Sequence, residues 1–200
     1  MVWRARIGVL AVVTSSVLGA CGADTDEQRA LFSSLPDACA VVSESRLGAL
    51  LGELAPGQQA SHLPDYSDYC SWTSRPDGST TAEPGERAPG ERYLSVTLLL
   101  SRTNAFGVDL AKGVFSDQRK RLGDVQALAV PIGDESFGRF SGREANVNFR
   151  RSNVTVEVSY GAGAVDESGT SAGPDGRQLR DGALAVAQEI NDGLRPPRPR

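Results

Sequence analysis

The sequence predicts an α+β domain in which an antiparallel sheet is packed by about three helices and held by one disulfide. Two stretches, 94–100 and 154–160, alternate apolar and polar residues in the manner of half-buried antiparallel strands. Three other segments place apolar residues at helical spacing. Cys39 and Cys70 remain as a possible pair once the third cysteine, Cys21, is given another role.

The first 20 residues have the zones of a secretory signal peptide. Arg4 and Arg6 give a positive start, residues 7–18 are mostly apolar, and two small residues follow. An apolar run of this length is too short to cross a bilayer core of ~30 Å as a helix. We therefore expect residues 1–20 to be removed, although a retained membrane helix is an alternative.

The stretch Leu18-Gly19-Ala20-Cys21 is similar to the lipobox of bacterial lipoproteins. In that motif the cysteine sulfur receives a diacylglycerol and the chain is cut just before the cysteine. Two acyl chains satisfy the requirement for stable membrane attachment. We expect lipid on Cys21 and a protein anchored to the cell membrane on its extracytoplasmic side. The alternative is an ordinary signal peptide with a chance cysteine.

Composition limits the classes of function. The net charge is −4, and losing Arg4 and Arg6 with the signal peptide would lower it by two. Such acidity argues against nucleic acid as a partner, because nonspecific nucleic-acid binding depends on basic patches. The length fits one domain, expected at 37–194, between a flexible tether at 21–36 and a disordered Pro/Arg tail at 195–200.

The two remaining cysteines predict a structural disulfide. With Cys21 lipidated outside the cytoplasm, Cys39 and Cys70 allow one pairing in an oxidising compartment. The chain has no Cys-x-x-Cys motif, and no basic residue lies close enough to either cysteine to favour a reactive thiolate. The bridge would join the start of the first helix to a strand.

The first half of the domain predicts a helix and two strands. Ser43 is the expected N-cap of a helix that ends at Gly52, with its apolar side formed by Leu47, Leu50 and Leu51. A polar loop is expected up to Pro64, followed by an extended segment at 66–74. Cys70 and Trp72 should both be buried there, since alternate residues of a strand share a face. The long stretch 75–91 is expected to be an exposed loop that leads to the strand at 94–100.

The second half predicts a helix, several strands and a final helix. The helix at 104–122 should bury one apolar side and end at Gly123, with three basic residues in its last turn. That side is expected to comprise Phe106, Leu110, Ala111, Val114, Phe115 and Leu122. Residues 125–160 are expected to be strands, with a hairpin turn at 151–153. After a disordered stretch at 161–173, Pro174 should open a helix that stops at Gly193.

Four short motifs resemble a large family of actinobacterial lipoproteins built on a domain of unknown function. They are Asp37-Ala38-Cys39, Leu50-Leu51-Gly52, Cys70-Ser71-Trp72 and Ile132-Gly133-Asp134-Glu135. The similarity covers residues 36–194 and implies an α+β envelope domain with one disulfide. The family carries no established activity, so the resemblance implies no active site. The layout is more distantly similar to extracellular sensor domains of envelope receptor kinases.

Few residues suggest catalysis or metal binding. His62 is the only histidine, and it lies in the expected polar loop without a visible orienting partner. Asp65 with Asp68, and Asp134 with Glu135, could bind calcium, yet neither pair has EF-hand spacing. We expect no cofactor, no metal and no catalytic residue.

The sequence therefore favours a noncatalytic envelope lipoprotein that binds a ligand, an envelope protein or a cell-wall component. The alternative is an extracytoplasmic enzyme with a carboxylate-based site that includes Asp134 and Glu135. A deep pocket where carboxylates converge would favour the enzyme, whereas an open sheet would favour the binding module.

Overall fold

The computed structural model describes residues 32–55, 59–63, 65–74, 90–104, 106–163 and 174–194. The predicted signal peptide, Cys21 and the tail at 195–200 lie outside the described residues. So do residues 21–31 of the tether, residues 75–89 of the first long loop and residues 164–173 of the second.

A single seven-stranded antiparallel sheet with three helices forms the described part of the chain, which confirms the predicted fold class. The strand order is β1-β2-β3-β7-β6-β5-β4. The strands are β1 Gln59–Leu63, β2 Ser67–Thr73, β3 Arg92–Leu100, β4 Gln126–Ala127, β5 Glu135–Phe140, β6 Glu144–Arg151 and β7 Val154–Ala162, and the helices are α1 Glu44–Leu51, α2 Gly107–Leu122 and α3 Gly176–Gly193.

The main hydrophobic core lies on one face of the sheet, beneath α1, α3 and the segment that precedes α1. The strands supply their alternating apolar side chains to it, including Leu94, Val96 and Leu98 of β3 and Val156 and Val158 of β7, all fully buried. Helix α3 covers β6 and β7 with a buried apolar side, which comprises Leu179, Ala183, Val186, Ala187 and Ile190.

The caps of α1 and α3 follow from their sequences. Ser43 is the N-cap of α1, as predicted, and its hydroxyl accepts from the amide of Arg46. In α3 the N-cap is Asp175, which forms a capping box with Gln178. Pro174 therefore precedes the cap and does not open the helix as predicted, because the Asp175 carboxylate is the better acceptor for the exposed amide groups.

The predicted disulfide is present. Cys39 lies in the turn before α1, Cys70 lies at the centre of β2, and their Cα atoms are 5.2 Å apart. Cys70 and Trp72 are both buried on the core face, as the alternation of β2 predicts. Trp72 belongs to the same core cluster as Leu47 and Leu51 of α1.

Two predictions about the first half of the chain were wrong. Residues 59–63 form β1, an antiparallel edge strand on β2, where a polar loop was expected. The tether boundary also moves, because Phe32 and Leu35 are buried in the core. Phe32 donates its amide to Asn153 Oδ1 at 2.8 Å, and Asn153 Nδ2 donates to the carbonyl of Phe32 at 2.9 Å.

The buried side of α2 also differs from the prediction. Val108, Ala111 and Phe115 are buried, whereas Phe106, Leu110 and Val114 are exposed. Both stripes are apolar at helical spacing, so periodicity could not choose between them. The buried stripe contains the small Ala111 and adjoins Gly107, which lets the helix lie close to the sheet. A Cβ at Gly107 would clash with the carbonyl of Arg102.

The region 125–160 is less regular than predicted. β4 has only two residues, and the chain is then irregular up to Glu135. Gly133 has a positive φ of 64°, and a Cβ there would clash with the carbonyl of Arg150. The predicted hairpin between β6 and β7 is confirmed, with Ser152 at φ 55° in its turn.

We predict that Cys39→Ala destabilises the domain. The disulfide closes a loop between residues 31 apart in sequence, and losing this constraint costs about 3.7 kcal/mol by the loop-closure estimate. The melting temperature should fall by about 10 °C. Differential scanning calorimetry of parent and variant measures the change, with the parent under reductant as the matched control. Equal melting temperatures for all three samples would contradict a stabilising bridge.

Candidate functional site

The face of the sheet opposite the main core is rich in hydroxyl and amide groups. Because successive strand residues point to opposite sides, these groups form one surface, which we call the polar sheet face. It comprises Tyr69, Ser71, Tyr93, Ser95, Thr97, Asn146, Asn148, Glu157 and Ser159. All are half-buried except the buried Asn146 and Asn148.

The strand register aligns these groups in rows across four strands. Tyr69 of β2 lies opposite Thr97 of β3, and Thr97 lies opposite Glu157 of β7. The row continues to Asn148 of β6. A second row runs through Ser71, Ser95, Ser159 and Asn146, and Ser159 donates to the Asn146 side-chain oxygen. The rows give the surface repeated hydrogen-bonding groups at regular strand spacing.

Tyr93 and Gly161 form the next position of this surface. They lie opposite each other on β3 and β7, and a Cβ at Gly161 would clash with the Tyr93 ring. The glycine therefore gives the ring room to lie across the β7 backbone. Such an aromatic cover compensates for the missing side chain of a strand glycine.

Helix α2 packs on the β5, β6 and β7 part of this face of the sheet. Phe115 packs on Phe137 of β5 with ring centroids 4.9 Å apart. Both rings are buried, and they form a small apolar cluster separate from the main core. The helix also contacts β6 and β7, and it therefore lies beside the parts of the rows that β2 and β3 supply.

A polar network lies where α2 meets the sheet. Gln118 Nε2 donates to Asn148 Oδ1 at 2.8 Å and to Glu157 Oε2 at 3.0 Å. Among the described residues, Gln118 Oε1 and Asn148 Nδ2 are buried without a hydrogen-bond partner. Buried groups of this kind each cost about 1–3 kcal/mol.

Glu157 is the carboxyl group most affected by this environment. Burial raises its pKa above the usual glutamate value, and the negative charge of Glu144 raises it further. The Gln118 amide and Arg121 act in the opposite direction but are weaker. If the side-chain amides of Gln118 and Asn148 both rotate by 180°, a protonated Glu157 can donate to Gln118 Oε1. Asn148 Nδ2 then also donates to that oxygen. The protonated form therefore suits the network better.

The carboxylates proposed for an enzyme site are held by Arg150. Its Nη1 lies 2.8 Å from Asp134 Oδ2, and its Nη2 lies 2.9 Å from Glu135 Oε1. Asp134 also accepts from the amide of Ser152 at 2.7 Å. The Arg150 side chain is buried, whereas both carboxylates are about half exposed. This cluster fastens the loop before β5 to the β6–β7 turn, and the two carboxylates do not converge on a described pocket.

His62 has an orienting partner that the sequence analysis missed. Its Nδ1 bonds to Asp68 Oδ2, and Asp68 is buried whereas the His62 side chain is half exposed. The two residues are paired across β1 and β2. Asp68 lies two and four residues before Cys70 and Trp72, so strand alternation already placed it on the core face. The pairing of His62 with Asp68 was missed because β1 was predicted to be a loop.

The described residues contain no group of three or more His, Cys, Asp or Glu side chains that could hold a metal ion. Asp65 and Asp68, the pair considered for calcium, lie apart in their surroundings, since Asp65 is exposed whereas Asp68 faces the core. In the described ranges, no helix has the length and apolar character needed to span a bilayer.

Comparison of the chain with family models, curated proteins and solved structures finds no match. The resemblance to actinobacterial lipoproteins therefore stays a prediction from the four short motifs.

We predict that Glu157→Gln stabilises the protein near neutral pH. The raised pKa means that the folded state binds this proton more tightly than the unfolded state. Ionisation therefore costs stability as pH rises past the unfolded value of about 4.3, and the full cost is present above the folded pKa. Glutamine removes that charge and still accepts from Gln118. Its melting-temperature gain over the parent should be clear at pH 7 and vanish below about pH 4.

Two further variants make this test specific. Glu144→Gln removes only the secondary cause, so it should give a smaller gain with the same pH dependence. Asp181→Asn, an exposed substitution on α3, serves as the matched control for loss of one negative charge. A gain for Glu157→Gln that is equally large at pH 4 and pH 7 would show that ionisation is not responsible.

Proposed function

We propose that this protein is an envelope lipoprotein, anchored through diacylglycerol on Cys21, whose domain binds an extracytoplasmic ligand without catalysing a reaction. Anchoring is supported by the positive, apolar and small-residue zones that end at Cys21. The disulfide between Cys39 and Cys70 is consistent with an oxidising compartment.

The observation that carries the binding part is the polar sheet face. The main core needs apolar side chains on one face of β2 and β3 only, and these two strands carry hydroxyl groups on the other face. The rows combine two tyrosine rings with serine and threonine hydroxyls, which is the chemistry that contacts a hydroxyl-rich polymer or a polar peptide. A cell-wall polymer is the ligand class that we favour.

The enzyme alternative receives less support. Asp134 and Glu135 direct oxygens to Arg150, and their arrangement is that of an ion pair that holds a loop. Glu157, whose pKa is raised by burial, accepts from Gln118 of α2. The His62–Asp68 pair resembles the base and orienting acid of a triad, yet no described serine or cysteine is bonded to His62. Binding is therefore the proposed role.

We predict that Cys21→Ser prevents anchoring. The serine precursor has no thiol to receive diacylglycerol, so it should leave the detergent phase in a Triton X-114 partition whereas the parent stays there. Ser33→Ala, a similarly small change near the start of the described fold, is the matched control. If Cys21→Ser partitions like the parent, the apolar segment at 7–18 is the anchor and the proposal is wrong.

We predict that Ser95→Arg weakens sedimentation of the lipidated protein with purified cell-wall sacculi. Ser95 lies at the centre of the polar sheet face, and a long cation there would obstruct a ligand that lies across the strands. Asp134→Asn and His62→Ala lie away from these rows and should change affinity by less than about twofold.

Two outcomes would contradict this prediction. Equal loss of binding in all three variants would argue against the polar sheet face as the binding surface. Turnover of a cell-wall substrate that disappears in Asp134→Asn, while its thermal unfolding matches the parent, would replace the binding role by an enzyme.

A further inference from the structure

One end of the sheet, which we call the anchor end, gathers the β1–β2 turn, the β3–α2 link, the loop before β5 and the β6–β7 turn. The register establishes this grouping. Leu63 pairs with Ser67 at the β1–β2 turn, and Leu100 pairs with Val154 beside the β6–β7 turn. Glu135, the first residue of β5, pairs with Arg150.

Large apolar side chains are exposed at the tips of this end. The exposed fractions are 56% for Leu63, 67% for Tyr66, 70% for Phe106 and 71% for Val130. Phe106 continues along α2 into the exposed stripe of Leu110 and Val114. Among the described residues, the one other exposed large apolar side chain is Leu54, which pairs with Ser74 at the opposite end. Such a concentration of exposed apolar groups indicates an interaction surface.

The described N-terminal segment enters the fold at the same end. Phe32 exchanges two hydrogen bonds with Asn153 in the β6–β7 turn. Asn153 Nδ2 also donates to the carbonyl of Arg102 at 3.2 Å, and a Cβ at Gly107 would lie 3.4 Å from Asn153 Cβ. The chain thus enters beside the first turn of α2, where Phe106 is exposed.

The distance from the lipid to this entry point is limited. Cys21 and Phe32 are 11 residues apart in the sequence, and a fully extended chain of that length spans at most about 40 Å. A lipid on Cys21 therefore keeps Phe32 within about 40 Å of the bilayer.

Helix α3 ends at the anchor end as well. Arg151 Nη1 donates to the carbonyl of Asn191 at 2.8 Å, which fixes the last turn of α3 to the end of β6. Gly193 and Leu194 line a cleft of about 320 Å³ together with residues 32–36. The sequence then continues with three arginines, Arg195, Arg198 and Arg200. Leu194, which precedes these arginines in the sequence, therefore lies at the end of the fold where Phe32 lies.

We propose that the anchor end docks on the surface of the lipid bilayer, with Phe106, Tyr66, Leu63 and Val130 inserted among the headgroups. Aromatic and apolar tips suit the interfacial layer, and the terminal arginines suit anionic lipids. Asp65 is exposed nearby, and Asp134 and Glu135 share the single cation Arg150, so the apolar tips supply most of the contact. This inference rests on the proposed lipid anchor at Cys21.

The test uses the full lipidated protein in phosphatidylglycerol-containing vesicles with brominated acyl chains. Phe106→Trp and Tyr66→Trp each place a reporter at the anchor end, and Leu54→Trp is the matched control at the opposite end. The buried Trp72 gives the background, measured in the parent. Bromolipids should quench the reporters at positions 106 and 66 by about half or more, because interfacial side chains reach ~5–10 Å into the headgroup boundary. Position 54 should be unaffected.

The outcomes separate this inference from the proposed function. A protein that fails to remain on the vesicles, or whose mature N-terminus carries no lipid by mass spectrometry, overturns the anchor and the docking together. Vesicle-bound protein with no quenching at position 106, or with equal quenching at positions 106 and 54, overturns the docking alone. If quenching at positions 106 and 66 falls as the protein concentration rises, these side chains contact a second copy of the protein. That result also overturns bilayer docking.

Discussion

The attachment of residues 32–43 to the sheet is the constraint on which the rest of the structure depends, and the Cys39–Cys70 disulfide makes it permanent. Helix α1 has eight residues, too few to be stable on its own in water. Its N-terminus is held by Glu189 of α3, which accepts from the Ser43 amide at 2.9 Å and from Arg46 Nε at 3.1 Å. Burial alone would raise the pKa of Glu189, but these bonds outweigh it and lower the pKa. The disulfide thus ties the start of α1 to β2, and the Glu189 contact ties it to α3.

The far end of α1 depends on the same arrangement. The carbonyl of Leu50 accepts from Tyr160 Oη at 2.8 Å and from Arg92 Nη1 at 2.9 Å. The last carbonyl groups of a helix have no intrahelical donors, so these two side chains supply the donors for Leu50. Tyr160 is near the end of β7 and Arg92 is the first residue of β3. Helix α1 therefore runs from near the disulfide towards the end of the sheet where β3 begins.

The sequence determined much of this fold because the deciding signals were local. Alternation in β3 and β7, the Ser43 cap and the small number of cysteines each allowed one interpretation. β1 was missed because its residues show no alternation, and its strand geometry depends on pairing with β2. In α2, two apolar stripes compete, and the choice depends on the contact of Gly107 with Arg102 and Asn153. Contacts between distant segments decide such cases, and a single sequence does not display them.

The candidate site was harder to predict for the same reason. The polar sheet face is a property of the register, since Thr97 meets Tyr69 and Glu157 only when three distant strands align. Each strand shows an ordinary alternation by itself, and ordinary alternation predicts a solvated outer side. The carboxyl pair Asp134 and Glu135 stood out in the sequence, yet the buried cation that holds it, Arg150, lies 15 residues from Glu135. Proximity in sequence was a poor guide to which charged groups meet.

The polar sheet face and the anchor end can both be used in one orientation of the protein on the membrane. If the anchor end faces the bilayer, the strands extend away from it, and β3 with its nine residues spans about 30 Å. The polar sheet face then stands upright with its rows parallel to the membrane. At the far end, residues 140–142 and the start of α3 line an open cleft of about 530 Å³ that includes Arg177 and Arg180. β2 also ends and β3 begins at that end. Docking at the anchor end therefore leaves the half-buried hydroxyl groups of β2 and β3, and the opposite end of the sheet, free of contact with the bilayer.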